Sequence, residues 1–327
     1  MPSKVLITRI IPQPGLEILK KAGFNLCINE LNRPLNRSEL EREFKTADAA
    51  ITMLTDRIDG KLIAAAQNLK IIANHAVGVD NIDIEACTTR RIAVTNTPGI
   101  LTEATADLTF ALILGLSRRI VEGDRLMREQ RFTGWDPLLL VGSDLKGKNL
   151  GIIGMGRIGR AVARRAQGFE MNVIYNNRNR LEGGIEKELN ATYMKLDQLI
   201  SEADFLTLHL PYYPEVHHLL GEEKLKLMKK NAYLINTARG AHIDEKRLLE
   251  LLREKAIAGA ALDVYENEPL VTEGLEDLDN VILLPHIGSA TVKARNAMAI
   301  MAASSVKAIL EGKRPDNLLN PIIYEYE

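Results

Sequence analysis

The chain has 327 residues, which is long for one average core and predicts two domains. Its longest unbroken apolar run, near residues 110–116, is far too short to cross a membrane. Forty-two basic and 43 acidic side chains leave a net charge of -1. Overall charge therefore offers no general attraction for nucleic acid or an anionic membrane, and we expect neither as a partner.

The cysteine content indicates a reducing environment. Cys27 and Cys87 are too few for a disulfide framework or a zinc site, and the chain passes from Met1 almost directly into strand-like residues near Val5. We therefore predict a cytoplasmic location. Histidine, cysteine and carboxylate residues show no spacing typical of metal ligands, so no metal is predicted.

From residue 4 to about residue 96, short β-branched runs alternate with helical patterns. Strands are predicted at residues 5–8, 49–53, 71–74 and 92–95, and helices at residues 15–22 and 59–67. This alternation is typical of a parallel sheet with crossover helices.

A second series of strands follows a long helix predicted at residues 101–119. Its six strands are predicted at residues 150–153, 172–175, 204–209, 232–237, 259–264 and 281–284. The charged residues 182–188 predict a solvated loop, and a last helix is predicted at residues 291–310. The fold is therefore predicted to be α/β, with two Rossmann-like or flavodoxin-like domains and parallel sheets. Residues 1–100 and 290–327 would form a discontinuous domain, and residues 101–289 the other.

A glycine pattern, GMGRIG at residues 154–159, follows the strand at 150–153 and opens a helix at 157–167. This is the context that a dinucleotide-binding loop requires. Gly154 permits the tight turn, Gly156 lets a pyrophosphate approach the backbone, and Gly159 lets the helix pack on the strand. Residues 101–289 are therefore predicted to bind a dinucleotide.

The residues at the end of the next strand indicate which of the two nicotinamide dinucleotides is bound. An NAD site usually has an acidic residue here for the ribose 2′-hydroxyl, but this chain has Asn177 followed by Arg178 and Arg180. Arginine forms charge-assisted hydrogen bonds with a 2′-phosphate. We therefore predict that NADP(H) is favoured over NAD(H).

Three later strands are each followed by a group suited to the reduction of a 2-oxo acid: Arg239, Glu268 and His286. This reaction needs a cation for the carboxylate, a proton donor for the carbonyl oxygen and a hydride from nicotinamide. Ligands of open α/β sheets bind at the carboxyl ends of strands, so these groups should converge.

The motifs together resemble the D-isomer-specific 2-hydroxyacid dehydrogenase family over essentially the whole chain. The resembling segments are AVGVD at 76–80, TNTPG at 95–99, the glycine pattern, INTARG at 235–240, ALDV at 261–264 with Glu268-Pro269, and PHIG at 285–288. The resemblance implies a two-domain enzyme with residues 1–100 and 290–327 as the substrate domain. It implies that Arg239 binds the substrate carboxylate and carbonyl, that His286 is the acid/base, and that Glu268 orients and charges His286.

Further contacts are implied by the same resemblance. Val77 and Gly78 would offer backbone N–H groups to the substrate, and Asp263 would lie near the nicotinamide. Together with WDPL at 135–138, the PHIGSAT segment at 285–291 resembles the glyoxylate/hydroxypyruvate reductase branch. The resemblance to that branch implies that residues 119–146 are part of a homodimer interface. Trp135 would then approach the active site of the neighbouring chain and contact its substrate, and Ser289 is also expected at the substrate. The expected cofactor contacts are Gly154, Gly156, Arg157, Ile158, Gly159, Asn177, Arg178, Arg180, His209, Pro211, Thr237, Asp263 and Gly288.

Other functions remain open at this point. Dinucleotide-sensing co-regulators share the family fold, as do formate, 2-ketogluconate, phosphoglycerate and phosphite dehydrogenases. The intact set of Arg239, Glu268 and His286 favours an enzyme over a sensor. His75, His217, His218 and His242 are assigned no proton-transfer role.

Overall fold

The computed structural model describes residues 1–31 and 33–325 of the chain. Its strands are β1 (Lys4–Ile7), β2 (Asn25–Ile28), β3 (Ala49–Thr52), β4 (Ile71–Asn74), β5 (Ala93–Thr95), β6 (Asn149–Ile153), β7 (Asn172–Asn176), β8 (Ala191–Tyr193), β9 (Phe205–Leu208), β10 (Tyr233–Asn236), β11 (Gly259–Leu262) and β12 (Val281–Leu283). Its α-helices are α1 (Gln13–Lys21), α2 (Arg37–Phe44), α3 (Gly60–Ala65), α4 (Ile84–Thr89), α5 (Thr102–Ser117), α6 (Ile120–Arg128), α7 (Arg157–Gly168), α8 (Gly183–Leu189), α9 (Leu196–Glu202), α10 (Glu222–Leu225), α11 (Glu245–Arg253) and α12 (Val292–Leu310). None of these helices is both long and apolar enough to span a lipid bilayer.

One compact unit comprises Met1–Leu101 together with the described residues from Ala290 onward. Its sheet has the strand order β2-β1-β3-β4-β5, and the paired strands are parallel. Successive residues of β1 point to opposite faces: Val5 and Ile7 pack with residues of α1 and α12, and Leu6 packs with residues of α2 and α3. A Cβ at Gly15 would lie 2.7 Å from the Ala299 carbonyl oxygen, so only glycine lets α1 approach α12 this closely.

The other compact unit comprises Thr102–Ser289. Its parallel sheet has the order β12-β11-β10-β9-β6-β7-β8. Ile152 packs on one face with residues of α5 and α7, and Ile153 packs on the other with residues of α9 and α11. The chain moves outward from β6 in one direction and then returns to place β9 on its other side. Ligands of such sheets bind at this switch point, at the carboxyl ends of the strands.

The predicted α/β class with parallel sheets is confirmed, but two strands were missed. β2 and β8 each lie at the edge of a sheet, and β8 has only three residues. The second sheet therefore has seven strands rather than the predicted six. Both strands are incompletely buried, so neither needs the continuous apolar run that marks a buried strand.

Two predictions about helices were wrong. Residues 182–188 were expected to form a loop, but they belong largely to α8, which buries Leu189 and ends at Asn190 in a left-handed conformation (φ 47°). The helix predicted at 101–119 ends at Ser117. Arg119 adopts φ 50°, which turns the chain into a further helix, α6. α6 was missed although its apolar residues lie on one face, and it buries none of them.

Candidate active site

The glycine loop after β6 brings the backbone closer to its neighbours than a side chain would allow. Gly154 has φ +97°, and a Cβ there would lie 2.6 Å from the His209 carbonyl oxygen. A Cβ at Gly159 would overlap the Gly154 carbonyl oxygen. Gly156 caps α7, and no heavy atom of the described residues, apart from those next to it in the chain, lies within 4 Å of its Cβ position. The N-terminus of α7, with exposed Arg157 and half-buried Ile158, is therefore accessible to an anion.

Of the residues after β7, Asn177 contacts the glycine loop, whereas Arg180 pairs with Glu186 of α8. Asn177 Oδ1 accepts a hydrogen bond from the Met155 amide at 3.3 Å, which ties this turn to the glycine loop. The Arg178 guanidinium lies 5.0 Å from the centre of the Tyr213 ring. Arg180 donates two hydrogen bonds of 2.9 Å to Glu186, and this pairing lowers the pKa of Glu186. The exposed ion pair with Glu186 was not anticipated, because α8 was not predicted.

His209 follows β9 and is buried, with both ring nitrogens lacking a hydrogen-bond partner within the described residues. Burial lowers the pKa of His209 to about 3, so the ring is neutral. Leaving buried polar atoms unpaired is costly, and such atoms suit a polar ligand group. Pro211, two residues further, is exposed. Thr237 Oγ1, after β10, lies 3.1 Å from Thr109 Oγ1.

His286 and Glu268 form a direct pair. His286 Nδ1 lies 3.0 Å from Glu268 Oε2 and 3.2 Å from Oε1. Burial alone would raise the pKa of Glu268, but the hydrogen bond and charge of His286, the Tyr265 amide and the charge of Arg239 together lower it. Since the pair uses Nδ1, Nε2 is the ring nitrogen that remains for a ligand.

A buried carboxylate fixes the loop that carries His286. Asp263, directly after β11, accepts hydrogen bonds of 2.7 Å from the amides of Ile287 and Gly288. Burial raises the pKa of Asp263 against the opposing effect of these two bonds. The Thr105 hydroxyl donates a 3.1 Å hydrogen bond to the Gly288 carbonyl. The loop is therefore held by Asp263 through its amides and by Thr105 through a carbonyl. His286 itself adopts φ 54°, a conformation that residues other than glycine rarely adopt.

A second buried carboxylate, Glu245, fixes the loop that carries Glu268. It accepts hydrogen bonds from the Glu266 amide at 2.7 Å and from the Thr272 hydroxyl at 2.6 Å, and burial raises its pKa. Sequence reasoning missed Glu245, which looks like an ordinary acidic residue in the first turn of a helix. Its aspartate N-cap, Asp244, was the available sign that this helix starts near the site.

Arg239 follows β10 in a turn that Asn236 builds. The Asn236 side chain accepts from the Ala238 amide at 3.0 Å and donates to the Arg239 carbonyl at 2.8 Å. At Gly240 a Cβ would overlap the backbone of Tyr265 and Glu266, so the two loops touch through their main chains. The second unit thus brings Arg239, Glu268 and His286 together.

The other expected substrate contacts are distributed over both units. Val77 and Gly78 follow β4 in the first unit, where their carbonyls accept hydrogen bonds from Asn96 (2.8 Å) and Asn74 (2.9 Å). Ser289 is half-buried at the end of the second unit. Trp135 is 85% exposed in the segment after α6, so the fold of this chain does not bury it.

Comparison with known proteins identifies the family. The sequence pattern described as the D-isomer specific 2-hydroxyacid dehydrogenase NAD binding domain matches residues 110–288. A glyoxylate reductase from Thermococcus litoralis is 48% identical over 324 residues, which cover 98% of this chain and 97% of that protein. The chain belongs to the D-isomer-specific 2-hydroxyacid dehydrogenase family. The family predicted from the sequence, and its glyoxylate reductase branch, are therefore confirmed.

Solved structures of 2-hydroxyacid dehydrogenases have the same fold. A glyoxylate reductase from Paecilomyes thermophila matches with a TM-score of 0.85 and 33% identity, covering 97% of this chain and 98% of that one. The NADPH-dependent glyoxylate/hydroxypyruvate reductase from Sinorhizobium meliloti, in complex with NADP and malonate, matches with a TM-score of 0.86 and 30% identity, covering 98% of each chain. This 2-hydroxyacid dehydrogenase is thus an oxidoreductase that uses a nicotinamide dinucleotide and reduces a small 2-oxo acid.

Proposed function

We propose that the enzyme is an NADPH-preferring reductase of glyoxylate or hydroxypyruvate that forms the corresponding D-2-hydroxy acid. The observation that carries this proposal is the His286–Glu268 pair, which has the charge of Arg239 beside it. The Thermococcus relative is named a glyoxylate reductase, and the Sinorhizobium structure is described as a glyoxylate/hydroxypyruvate reductase.

Each member of the trio has a distinct role in this proposal. Arg239 binds the substrate carboxylate and polarises the carbonyl through charge-assisted hydrogen bonds. His286 donates a proton from Nε2 to the carbonyl oxygen. Glu268 accepts a hydrogen bond from His286 Nδ1. This bond orients the imidazole ring, and the carboxylate charge stabilises a positive charge on the ring. Asp263 and Glu245 are positioning residues, because they hold the two loops rather than the substrate.

The remaining substrate contacts are assigned to main chain and flanking side chains. The amides of Val77 and Gly78 bind the carboxylate in this proposal, and Ser289 and Trp135 contact the substrate. The segments 1–100 and 290–327 then act as the substrate domain, and residues 101–289 act as the dinucleotide domain.

The second unit fits a dinucleotide, because the N-terminus of α7 is accessible and the buried nitrogens of His209 have no partner among the described residues. Gly154, Gly156, Arg157, Ile158 and Gly159 would hold the pyrophosphate. Asn177, Arg178 and Arg180 would hold the adenosine ribose and its phosphate. His209, Pro211, Thr237, Asp263 and Gly288 would line the rest of the dinucleotide site. The reduced nicotinamide, when bound, supplies the hydride.

A substrate screen tests the proposal. Oxidation of NADPH and of NADH is followed spectrophotometrically with glyoxylate, hydroxypyruvate, pyruvate, phenylpyruvate and 2-ketogluconate. We expect the highest kcat/KM with glyoxylate or hydroxypyruvate. A preference for one of the other acids would reassign the substrate, and no turnover with any of them would favour a dinucleotide sensor.

The cofactor preference depends on the arginines after β7. The double variant Arg178→Ala/Arg180→Ala is expected to lower the NADPH-over-NADH ratio of kcat/KM by roughly tenfold or more, the effect of losing a charge-assisted hydrogen bond. Glu186→Gln should raise the ratio, since it releases Arg180 from its exposed ion pair. Arg164→Ala, which removes an exposed arginine paired with Glu188, serves as the control. Equal kcat/KM for both cofactors in the unaltered enzyme would contradict the proposal.

The coupling of Glu268 to His286 predicts a pH effect. The lowered pKa of Glu268 keeps this carboxylate charged down to a lower pH than usual, and its charge is lost only as the pH falls through that pKa. Glu268→Gln removes this titrating charge from its contact with His286 Nδ1. We expect the variant to lose the fall of kcat/KM for reduction that the protonation of Glu268 causes on the acid side of the profile. Glu273→Gln, an exposed acid of the same loop, should leave the profile in place. An unmoved profile for Glu268→Gln would disprove the coupling.

The segment at residues 119–146 favours a homodimer as the working form. It exposes an unusual number of large apolar side chains: Ile120, Val121, Met127, Phe132, Trp135, Leu138, Leu139 and Val141. We expect a second copy of the chain to cover them. Sedimentation at micromolar concentration should give about twice the 36.3 kDa of one chain. Leu138→Asp should shift the protein toward monomer, whereas Ile10→Asp, also at an exposed apolar position, should not. A mass of one chain for the unaltered protein would contradict the dimer.

A further inference from the structure

Two neighbouring histidines and a glutamate meet in the second unit, and none of the three belongs to the His286–Glu268 pair. One possible ligand atom from each of His217, His218 and Glu266 lies within 4.8 Å of the other two. His218 Nε2 is 2.8 Å from Glu266 Oε1. The rings of His217 and His218 stack with their centres 4.1 Å apart and their planes at 17°. We propose that these three side chains form a binding site for Zn²⁺.

The chemistry of the three groups suits this ion. Two imidazoles and one carboxylate are a ligand set from which proteins build zinc sites, with water at the fourth position. With bonds of about 2.0–2.1 Å, ligand atoms of a tetrahedral zinc lie roughly 3.3 Å apart. His217 therefore needs to approach the other two groups by no more than about 1.5 Å, and this exposed side chain has room to move. His218 Nε2 and Glu266 Oε1, which are 2.8 Å apart, need to separate by roughly 0.5 Å.

The backbone already holds two of the ligands in place. His218 adopts φ 49°, and its amide donates a 2.8 Å hydrogen bond to the Ala241 carbonyl. The Glu266 amide is bound by the buried carboxylate of Glu245 at 2.7 Å. The side chains of His218 and Glu266 are 33% and 24% exposed, so an ion between them would be partly shielded from water yet reachable.

A tyrosine contacts one of the three proposed zinc ligands. Tyr212 Oη lies 3.3 Å from His217 Nδ1. Metal-binding histidines commonly bond an oxygen through one ring nitrogen while the other binds the metal, and this contact leaves Nε2 for the ion. A bound Zn²⁺ would join the loop after β9 to the loop that carries Glu268, and so would stabilise the folded second unit.

The test measures Zn²⁺ binding directly. Metal-stripped protein without a polyhistidine tag is titrated with Zn²⁺ by calorimetry, and its Tm is followed in parallel. We expect one ion per chain and a Tm that rises with Zn²⁺ concentration. His217→Gln, His218→Gln and Glu266→Gln should each weaken binding by at least the ~10–100-fold that loss of an outer-shell partner costs, and Tyr212→Phe by less than a ligand variant.

Two controls separate this site from others. Glu215→Gln removes an exposed carboxylate from the same loop, and His286→Gln removes the imidazole of the other His–Glu pair. Both variants should bind Zn²⁺ as tightly as the unaltered protein does. Because His217 is exposed, its variant is expected to fold normally, and its Tm without metal checks this. The proposal is overturned if Zn²⁺ binding does not saturate, if folded His217→Gln binds as tightly as the unaltered protein, or if His286→Gln loses the ion.

Discussion

Replacing His286 by alanine is expected to lower kcat for 2-oxo acid reduction by about 10²–10⁴-fold, the usual contribution of a general acid. The loss follows from geometry, because Nδ1 is engaged by Glu268 and only Nε2 can give its proton to the substrate oxygen. Steady-state rates with saturating NADPH and glyoxylate measure the effect. KM should change much less than kcat, since the carboxylate anchor is intact.

Cofactor titration and Tm serve as the controls for this variant. The His286 side chain is 29% exposed, and the loop stays held by Asp263 through backbone amides that alanine retains. His286→Ala should therefore fold and bind NADPH as the unaltered enzyme does. Nearly full activity in a folded variant would mean that another group donates the proton.

Replacing Arg239 by alanine is expected to lower kcat/KM by roughly 10²–10⁴-fold, the cost of losing two hydrogen bonds to a charged group. We expect KM to rise and kcat to fall, because the same guanidinium binds the substrate carboxylate and polarises the substrate carbonyl. Arg239→Lys should recover only part of the loss, since an ammonium cannot form the planar bidentate contact.

A surface arginine provides the matched control. Arg247→Ala removes a guanidinium of α11 that pairs with Glu222 and Glu250 at the surface. Its kinetic constants should stay near those of the unaltered enzyme. If Arg239→Ala raised KM while leaving kcat unchanged, the residue would bind substrate without assisting the chemical step.

The sequence predicts the fold class because the buried parallel strands leave apolar runs such as those of β3 and β4, in which every residue is buried. It misses β2 and β8, which are incompletely buried and so leave no continuous apolar run, whereas the edge strands β5 and β12 are predicted. It also misses α6, which buries none of its residues.

The trio is predictable for a related reason. Arg239, Glu268 and His286 each follow a buried strand, and the carboxyl ends of parallel strands share one edge. The supports of the trio are not predictable in this way. Glu245 accepts a hydrogen bond from the amide of Glu266, 21 residues further along the chain. The same holds for the proposed zinc site, where Glu266 lies 48 residues from His218. Contacts at such separations depend on tertiary packing, which no local spacing encodes.

The main-chain contact at Gly240 also bears on how this enzyme is best recombined with its relatives. Because the backbones of Gly240 and Tyr265 touch with no space for a single methyl group, the paths of the two loops are matched to each other. A crossover between positions 240 and 265 would join loops that evolved in different proteins, and a small mismatch there would displace Arg239 and Glu268 together. Gene-shuffling libraries should therefore inherit residues 236–268 as one block, and diversity in substrate selectivity should be introduced outside it.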